Sequence, residues 1–310
     1  MRILVVGAGA IGGYFGGRLL QAKRDVTFLV RARRATQLRE SGLVIQSPLG
    51  DAHIPDPPTV QAAQLSQPFD LILLSCKAYD LDAAIESFAP AVGPQTAILP
   101  ILNGMRHLDV LATKFGKERV LGGQCLISAS LDPTGRILHF NDHHKLTFGE
   151  LDGTRSARVT AILAELTKGG FNASLSEAIL QDMWEKWIFI AAAAGITCLM
   201  RGAIGDIMSA NGPELALALL VECAEIAASA GFQPRESALQ AGRTTLTTSG
   251  SPLMASMLRD IERGAQTEVE QILGDLLRRR ATPAKAASVL SVAYAHIKTY
   301  EARRARELSV

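Results

Sequence analysis

Six residues near the amino terminus, Gly7-Ala8-Gly9-Ala10-Ile11-Gly12, have the types and spacing to do chemistry. They follow the β-rich apolar run Arg2–Val6 and open a helical pattern over Ile11–Gln21. A strand-to-helix GxGxxG turn suits a dinucleotide. Gly7 permits the tight turn, Gly9 lets backbone approach a pyrophosphate, and Gly12 lets helix pack closely on sheet. The helix start adds N–H groups and a partial positive charge. The ribose is read about 20 residues further on, where an Asp or Glu would hold a 2′-hydroxyl. Here the chain reads Phe28-Leu29-Val30-Arg31-Ala32-Arg33-Arg34, without an acid. Arginine suits a 2′-phosphate through forked, charge-assisted contacts. NADP(H) is therefore expected, with Arg31 as the first contact and Arg34 as the second choice. The competing readings are a glycine turn that binds nothing and an ordinary basic helix start.

Other polar residues are ambiguous by spacing alone. Lys186 lies four residues after Asp182, which fits an i,i+4 helix pair. Asn103-Gly104 fits a turn. Glu268 fits a first-turn acid facing a helix dipole. Ser256 fits a solvent-facing helical position, Lys77 a strand end, and His139 a structural place on an apolar strand. Cys76, Cys125, Cys198 and Cys223 are far apart with no CxxC pair, so neither a zinc site nor a disulfide framework is suggested. Reduced thiols in a cytoplasmic protein fit better.

These residues need elements to hold them. Short apolar runs at Arg2–Val6, Asp25–Val30, Leu71–Cys76 and Thr96–Leu102 alternate with helical patterns at Ile11–Gln21 and Leu81–Val92. That rhythm predicts a parallel sheet covered by helices. Gly42–Ile54 reads as a small β excursion turning at Leu49-Gly50. Val120–Ser130 and Arg136–Phe148 read as strands joined by Asp132-Pro133-Thr134-Gly135. After about Glu177 the pattern turns helical: Ala178–Met200, Pro213–Ala230, Pro252–Arg263 and Gln266–Arg280, then a start at Thr282-Pro283 opening Ala284–Leu290. The expected fold is α/β, with a Rossmann-type parallel-sheet domain over 1–177 and an all-helical domain over 178–310.

The chain has 310 residues, 48% hydrophobic and 20% charged, enough for about two domains and inconsistent with disorder. A net charge of +2 gives no basic field for nucleic acid. The apolar stretch Trp187–Met200 is shorter than the ~20 residues a bilayer needs, so it reads as a buried helix and no membrane partner is expected. That alanine-rich helix can pack within the chain or across a homodimer.

Several separated segments together resemble the ketopantoate reductase (2-dehydropantoate 2-reductase) family over nearly the whole chain. They are the glycine loop, Cys76-Lys77-Ala78, Asn103-Gly104-Met105, Trp184-Glu185-Lys186, and Ser256–Ile261 followed by Thr267–Glu270. The resemblance implies NADPH-dependent reduction of a 2-keto acid, ketopantoate itself, on the route to pantothenate. It implies Lys186 as general acid and Glu268 as the carboxylate that positions it. It implies Asn103 beside nicotinamide and substrate, Ser256 on the substrate carboxylate, Lys77 and Glu268 near the cofactor, and substrate facing positions 190 and 194. The residue types suit the task. Hydride addition leaves charge on oxygen, and a positioned cation that also gives a proton lowers the barrier. A neighbouring carboxylate opposes the loss of basicity that desolvation imposes on a cleft ammonium.

The chain departs from the family where Ile190, Ala194 and, roughly, Ile204 stand in place of asparagines, and Leu102 in place of glutamine. A pocket that loses buried polar groups loses discrimination for a hydroxyl, so a more apolar 2-keto acid is the alternative substrate. Two other classes compete: a hydroxyacid dehydrogenase of the 6-phosphogluconate-like group, and a non-catalytic NADP(H)-binding sensor.

Overall fold

The computed structural model describes residues 1–281 and 287–308; the helix start expected at Thr282-Pro283 lies outside the described residues. By contact, the chain divides into two compact units, Met1–Leu102 with His107–Leu180, and Asn103–Arg106 with Gln181–Val310.

An uninterrupted aliphatic run is what a strand covered on both faces requires, and Ile3–Val6 becomes β1 with every residue buried. There follow α1 (Ala10–Gln21), β2 (Val26–Leu29), α2 (Ala32–Ser41), β3 (Leu43–Gln46), β4 (Ala52–Ile54), β5 (Thr59–Val60), β6 (Leu71–Leu74), α3 (Leu81–Phe88) and β7 (Ala97–Pro100). Strands β5-β2-β1-β6-β7 form one sheet in that order, all parallel. The strand order steps away from β1 on both sides. Doubly wound sheets bind ligands at the carboxyl ends of strands at such a reversal.

The first unit continues with α4 (Arg106–Phe115), whose first residue is assigned to the other unit, then β8 (Leu121–Leu131), β9 (Ile137–Glu150), α5 (Ala157–Leu166) and β10 (Asn172–Leu175). These strands build a second, mixed sheet, β10-β9-β3-β4, with β8 antiparallel to β9. The β excursion expected at Gly42–Ile54 is the antiparallel β3–β4 hairpin. It joins this second sheet because β3 pairs with β9, Ile45 opposite Ile137.

Helix α1 is packed on both sides. A Cβ at Gly16 would come within 2.6 Å of the Phe28 ring on β2, and one at Gly17 within 2.7 Å of Leu43 on β3. Small residues there let the helix touch both sheets at once. Tyr14, Phe15 and Leu19 of the same helix are fully buried, each contributing about 1.5–3 kcal/mol of apolar burial where the side chain is apolar.

In the second unit the described elements are helical: most of α6 (Ile179–Met200), then α7 (Ile204–Ser209), α8 (Pro213–Ser229), α9 (Glu236–Leu246), α10 (Ser256–Glu262), a π-helical turn at Glu270–Gly274, α11 (Asp275–Arg278) and α12 (Val289–Leu308). Helix α6 is long and apolar enough, by length and composition, to cross a membrane, yet 67% of its most apolar window is buried inside the protein, as in a core helix. Gly195 lets it approach Leu219 of α8 and Ala293 of α12. Near its start, Trp184 and Trp187 pack with ring centroids 4.8 Å apart, Phe232 stacks on Trp184, and the Arg279 guanidinium lies over both indoles.

Two helices are shorter than the sequence pattern predicts. Pro252–Ala255 stays outside α10, and Ala255 is extended as its N-cap. The pattern at Gln266–Arg280 becomes helical only at Val269. Just ahead of that start the Thr267 hydroxyl donates to Glu301 Oε1 (2.6 Å) and accepts from the Val269 N–H (3.4 Å).

Candidate active site

The glycine loop is held from two sides. Gly7 takes φ +94°, a conformation glycine alone adopts cheaply, and its N–H donates to the Leu29 carbonyl at 3.0 Å. Ser75, just past β6, donates its hydroxyl to Val6 O (3.0 Å) and Gly7 O (3.2 Å). Gly12 is packed shut, since a Cβ would lie 2.0 Å from Ser75 Oγ and 2.3 Å from Gly7 O. Gly9 is open: a Cβ there meets nothing within 4 Å. Gly9 is also the N-cap of α1, with no side-chain cap on the helix start. Ala8 is buried, and Ala10 and Ile11 are half-buried beside it. A rigid loop, open at the one glycine that fronts the helix N–H groups, fits a pyrophosphate.

The two arginines behave differently. Arg34 Nε donates to Ala8 O (3.0 Å), and its Nη1 to Gly135 O (3.0 Å) and Gln37 Oε1 (2.6 Å). Burial pushes its pKa down. Arg34 thus fastens the glycine loop to the β8–β9 turn. Arg31, the extended N-cap of α2, is exposed and donates to Asp80 Oδ1 at 2.8 Å. Lys77 is half-buried and extended at the start of the short 3₁₀ turn Ala78–Asp80.

In the second unit, Lys186 Nζ donates to Asn103 Oδ1 at 3.3 Å. The helix pair with Asp182 that spacing allows gives way to a different partnership. Asp182 and Glu185 both pair with Arg235, the N-cap residue of α9, and Glu185 also accepts from the Arg235 backbone N–H at 2.9 Å. Burial alone would raise the Glu185 pKa; the hydrogen bonds from Arg235 and Gln181 outweigh it and hold the group below the usual carboxylate range. The same bonds push Arg235 up. Both acids nearest Lys186 on its helix are therefore drawn to a guanidinium, and the ammonium faces a neutral amide.

The Asn103 turn is braced from below. Gly104 has φ +80°, and a Cβ there would lie 2.8 Å from the Gln271 carbonyl oxygen in the π-helical turn. Trp187 Nε1 donates to Ile272 O at 3.0 Å in that same turn. Glu268 is buried just ahead of it, and its carbonyl accepts from the Gln271 and Ile272 N–H groups. So the Asn103 turn, the lysine helix and the segment after Glu268 are joined around one irregular turn. Such turns recur at functional sites.

The remaining expected residues are placed as follows. Ser256 is exposed at the first residue of α10. One helical turn past Lys186, Ile190 is half-buried, and Ala194 a turn further is buried at 2% exposure. Ile204 and Leu102 are buried, Ile204 completely. His139 is structural, buried on β9 with its Nδ1 2.8 Å from Ser47 Oγ. Burial pushes the Cys198 thiol up to about 12. Trp187, Arg235 and the π-helical turn were not singled out by sequence reasoning. A buried indole N–H always needs an acceptor, which is the one signal that points to Trp187; Arg235 and the turn carry none locally.

Comparison with known proteins identifies the family. The family pattern described as ketopantoate reductase PanE/ApbA matches residues 3–153, and its C-terminal counterpart matches residues 178–301. The chain belongs to the ketopantoate reductase family. As a member it is an oxidoreductase of the 2-dehydropantoate 2-reductase type. An uncharacterized oxidoreductase of Bacillus subtilis, YkpB, is 38% identical over 98% of this chain and 100% of its own. The crystal structure of a 2-dehydropantoate 2-reductase from Methylococcus capsulatus is 28% identical, covers 98% of both chains and has a TM-score of 0.85. A D-mandelate dehydrogenase in ternary complex with NADH and anilino(oxo)acetate shares the fold, with a TM-score of 0.87 at 21% identity, covering 98% of this chain and 99% of its own.

Proposed function

We propose that this protein reduces the keto group of a 2-keto acid with NADPH, giving the 2-hydroxy acid, in the cytoplasm. The observation that carries the reading is the Lys186 ammonium held at 3.3 Å from Asn103 Oδ1 while its acidic helix neighbours are occupied by Arg235. An ammonium with an amide partner keeps two further N–H bonds for a substrate oxygen.

In this reading Gly7, Ala8, Gly9, Ala10, Ile11 and Gly12 cradle the pyrophosphate, Arg31 takes the 2′-phosphate, and Lys77, Asn103 and Glu268 complete the cofactor contacts. The bound cofactor supplies the hydride. Lys186 stabilises the oxygen that gains charge and gives it the proton. Asn103 orients the ammonium, Glu268 helps to position it, and Ser256 donates to the substrate carboxylate.

The first substrate to test is 2-dehydropantoate, which would place the enzyme on the way to pantothenate. A second reading, a 2-keto acid with a purely aliphatic or aromatic side chain, is favoured by Ile190 and Ala194. They follow Lys186 at i+4 and i+8, positions that share its helix face. The relative that binds anilino(oxo)acetate is compatible with that reading.

The test is NADPH consumption by the purified protein across a panel of 2-keto acids, with Lys186→Met alongside. The expected result is turnover in the parent and a loss of about 10²–10⁴ in kcat in the variant, the usual worth of a general acid, with NADPH binding retained. NADPH that binds but is consumed with no keto acid sinks the reductase reading and favours a sensor.

A further inference from the structure

Arg31 and Asp80 come from opposite sides of the glycine loop. In the parallel sheet, β1 lies between β2 and β6. Arg31 stands two residues past the end of β2, and Asp80 lies on the short turn past the end of β6. Their 2.8 Å ion pair therefore crosses above the carboxyl end of β1, from which the loop at Gly7 emerges. Two strand spacings, about 10 Å, separate the strands it links. This is the crevice at which a dinucleotide lies on such a sheet.

The pair is a surface contact, with side chains 76% and 35% exposed, so it opens easily. Among the described residues it is still the one hydrogen-bonded partner of the Arg31 guanidinium, whose pKa it raises. Arg34 is placed differently: its Nε and Nη1 donate to Ala8, Gln37 and Gly135, and its Nη2 is buried rather than exposed like the Arg31 guanidinium.

We propose that Asp80 is a cofactor-selecting residue: it holds Arg31 in a strap across the dinucleotide crevice, and only a 2′-phosphate competes for that guanidinium. The inference rests on the dinucleotide reading given above. NADPH brings a dianion that displaces Asp80 and must offset the lost pair. NADH brings a neutral hydroxyl and leaves the pair closed. Asp80 thus narrows the preference for NADPH that Arg31 alone would give.

The experiment titrates the full-length protein with NADPH and with NADH, following cofactor fluorescence. It compares the parent with Asp80→Asn, Arg31→Ala and the double variant. Breaking one exposed ion pair is worth about two- to fivefold. Asp80→Asn should tighten NADPH by about that factor and leave NADH within about twofold. The gain should shrink in the Arg31→Ala background and at high salt, where exposed charges are screened. An NADPH/NADH ratio unmoved by Asp80→Asn overturns the proposal. An equal gain with and without Arg31 overturns it too, because Asp80 would then act on the cofactor directly. If the parent binds neither dinucleotide, the reductase reading fails and takes this inference with it; binding of both with an unmoved ratio removes only the role of Asp80.

Discussion

Replacing Gly104 with alanine tests whether the braced Asn103 turn sets the position of Lys186. At φ +80° an L-residue is strained by about 1–2 kcal/mol. Its Cβ would also sit 2.8 Å from Gln271 O, a main-chain atom that cannot rotate away. Comfortable non-bonded separation is about 3.5 Å, so the turn and the π-helical segment must part by roughly 0.5 Å or more. The Lys186–Asn103 hydrogen bond, at 3.3 Å, is already at the outer edge of useful length, and a further half ångström breaks it. Hydrogen bonds to charged groups contribute about 1.5–3 kcal/mol; both groups here are partly exposed, so the lower end applies, which is roughly tenfold in kcat/KM. The fold should lose about 2–3 kcal/mol, a fall of about 4–12 °C in Tm for units of this size. Initial rates with NADPH and the best keto acid, with a melt followed by circular dichroism, measure both. Asn103→Ala should reproduce the rate loss with a much smaller change in Tm. A Tm that falls as expected while kcat/KM stays within about twofold refutes the positioning argument.

The loop glycines separate binding from folding. Gly9→Ala adds a methyl group into open space, so it should melt within about 1 °C of the parent but weaken NADPH by about tenfold, because the methyl occupies the approach of the pyrophosphate. Gly12→Ala drives its Cβ into Ser75 Oγ and Gly7 O and should destabilise by about 2 kcal/mol or more, read by urea unfolding. The first residue of the π-helical turn gives a pH signature. Burial would raise the Glu270 pKa, but hydrogen bonds from Lys298, Tyr294 and Arg278 outweigh it and hold the group at about 2. A depressed folded-state pKa contributes stability that is complete above the unfolded value of about 4.3 and is lost as pH falls toward the folded value. Melts between pH 5 and about 2 should therefore show a shallower decline for Glu270→Gln than for the parent; parallel curves would contradict the assignment.

Which parts of this molecule the sequence could reveal depended on the reach of the interaction. The aliphatic run at Ile3–Val6, the glycine loop and the long apolar pattern of α6 are local. Each carries its own period or turn chemistry, and each appears where the pattern puts it. The second sheet was invisible as a separate layer. Alternation marks β3, β4, β8 and β9 as strands, but only the distant pairing of Ile45 with Ile137 decides which sheet they join. The π-helical turn was invisible for a related reason, since residues that favour an i→i+5 turn do not differ in type from those that favour i→i+4.

Lys186 shows why a candidate site is harder to read than a fold. Helix spacing nominates Asp182 as its partner, at i−4. The structure gives Asp182 and Glu185 to Arg235, fifty residues downstream, and gives Lys186 to Asn103, eighty-three residues upstream. The guanidinium wins the carboxylates because its planar fork engages several oxygens at once, whereas an ammonium offers a point charge. That competition is what turns an ordinary helical lysine toward an amide and makes it available to a substrate oxygen. Arg235→Ala should then let Lys186 fall back onto Asp182, and a rate loss from a residue outside the substrate contacts would follow, with Lys186 itself intact.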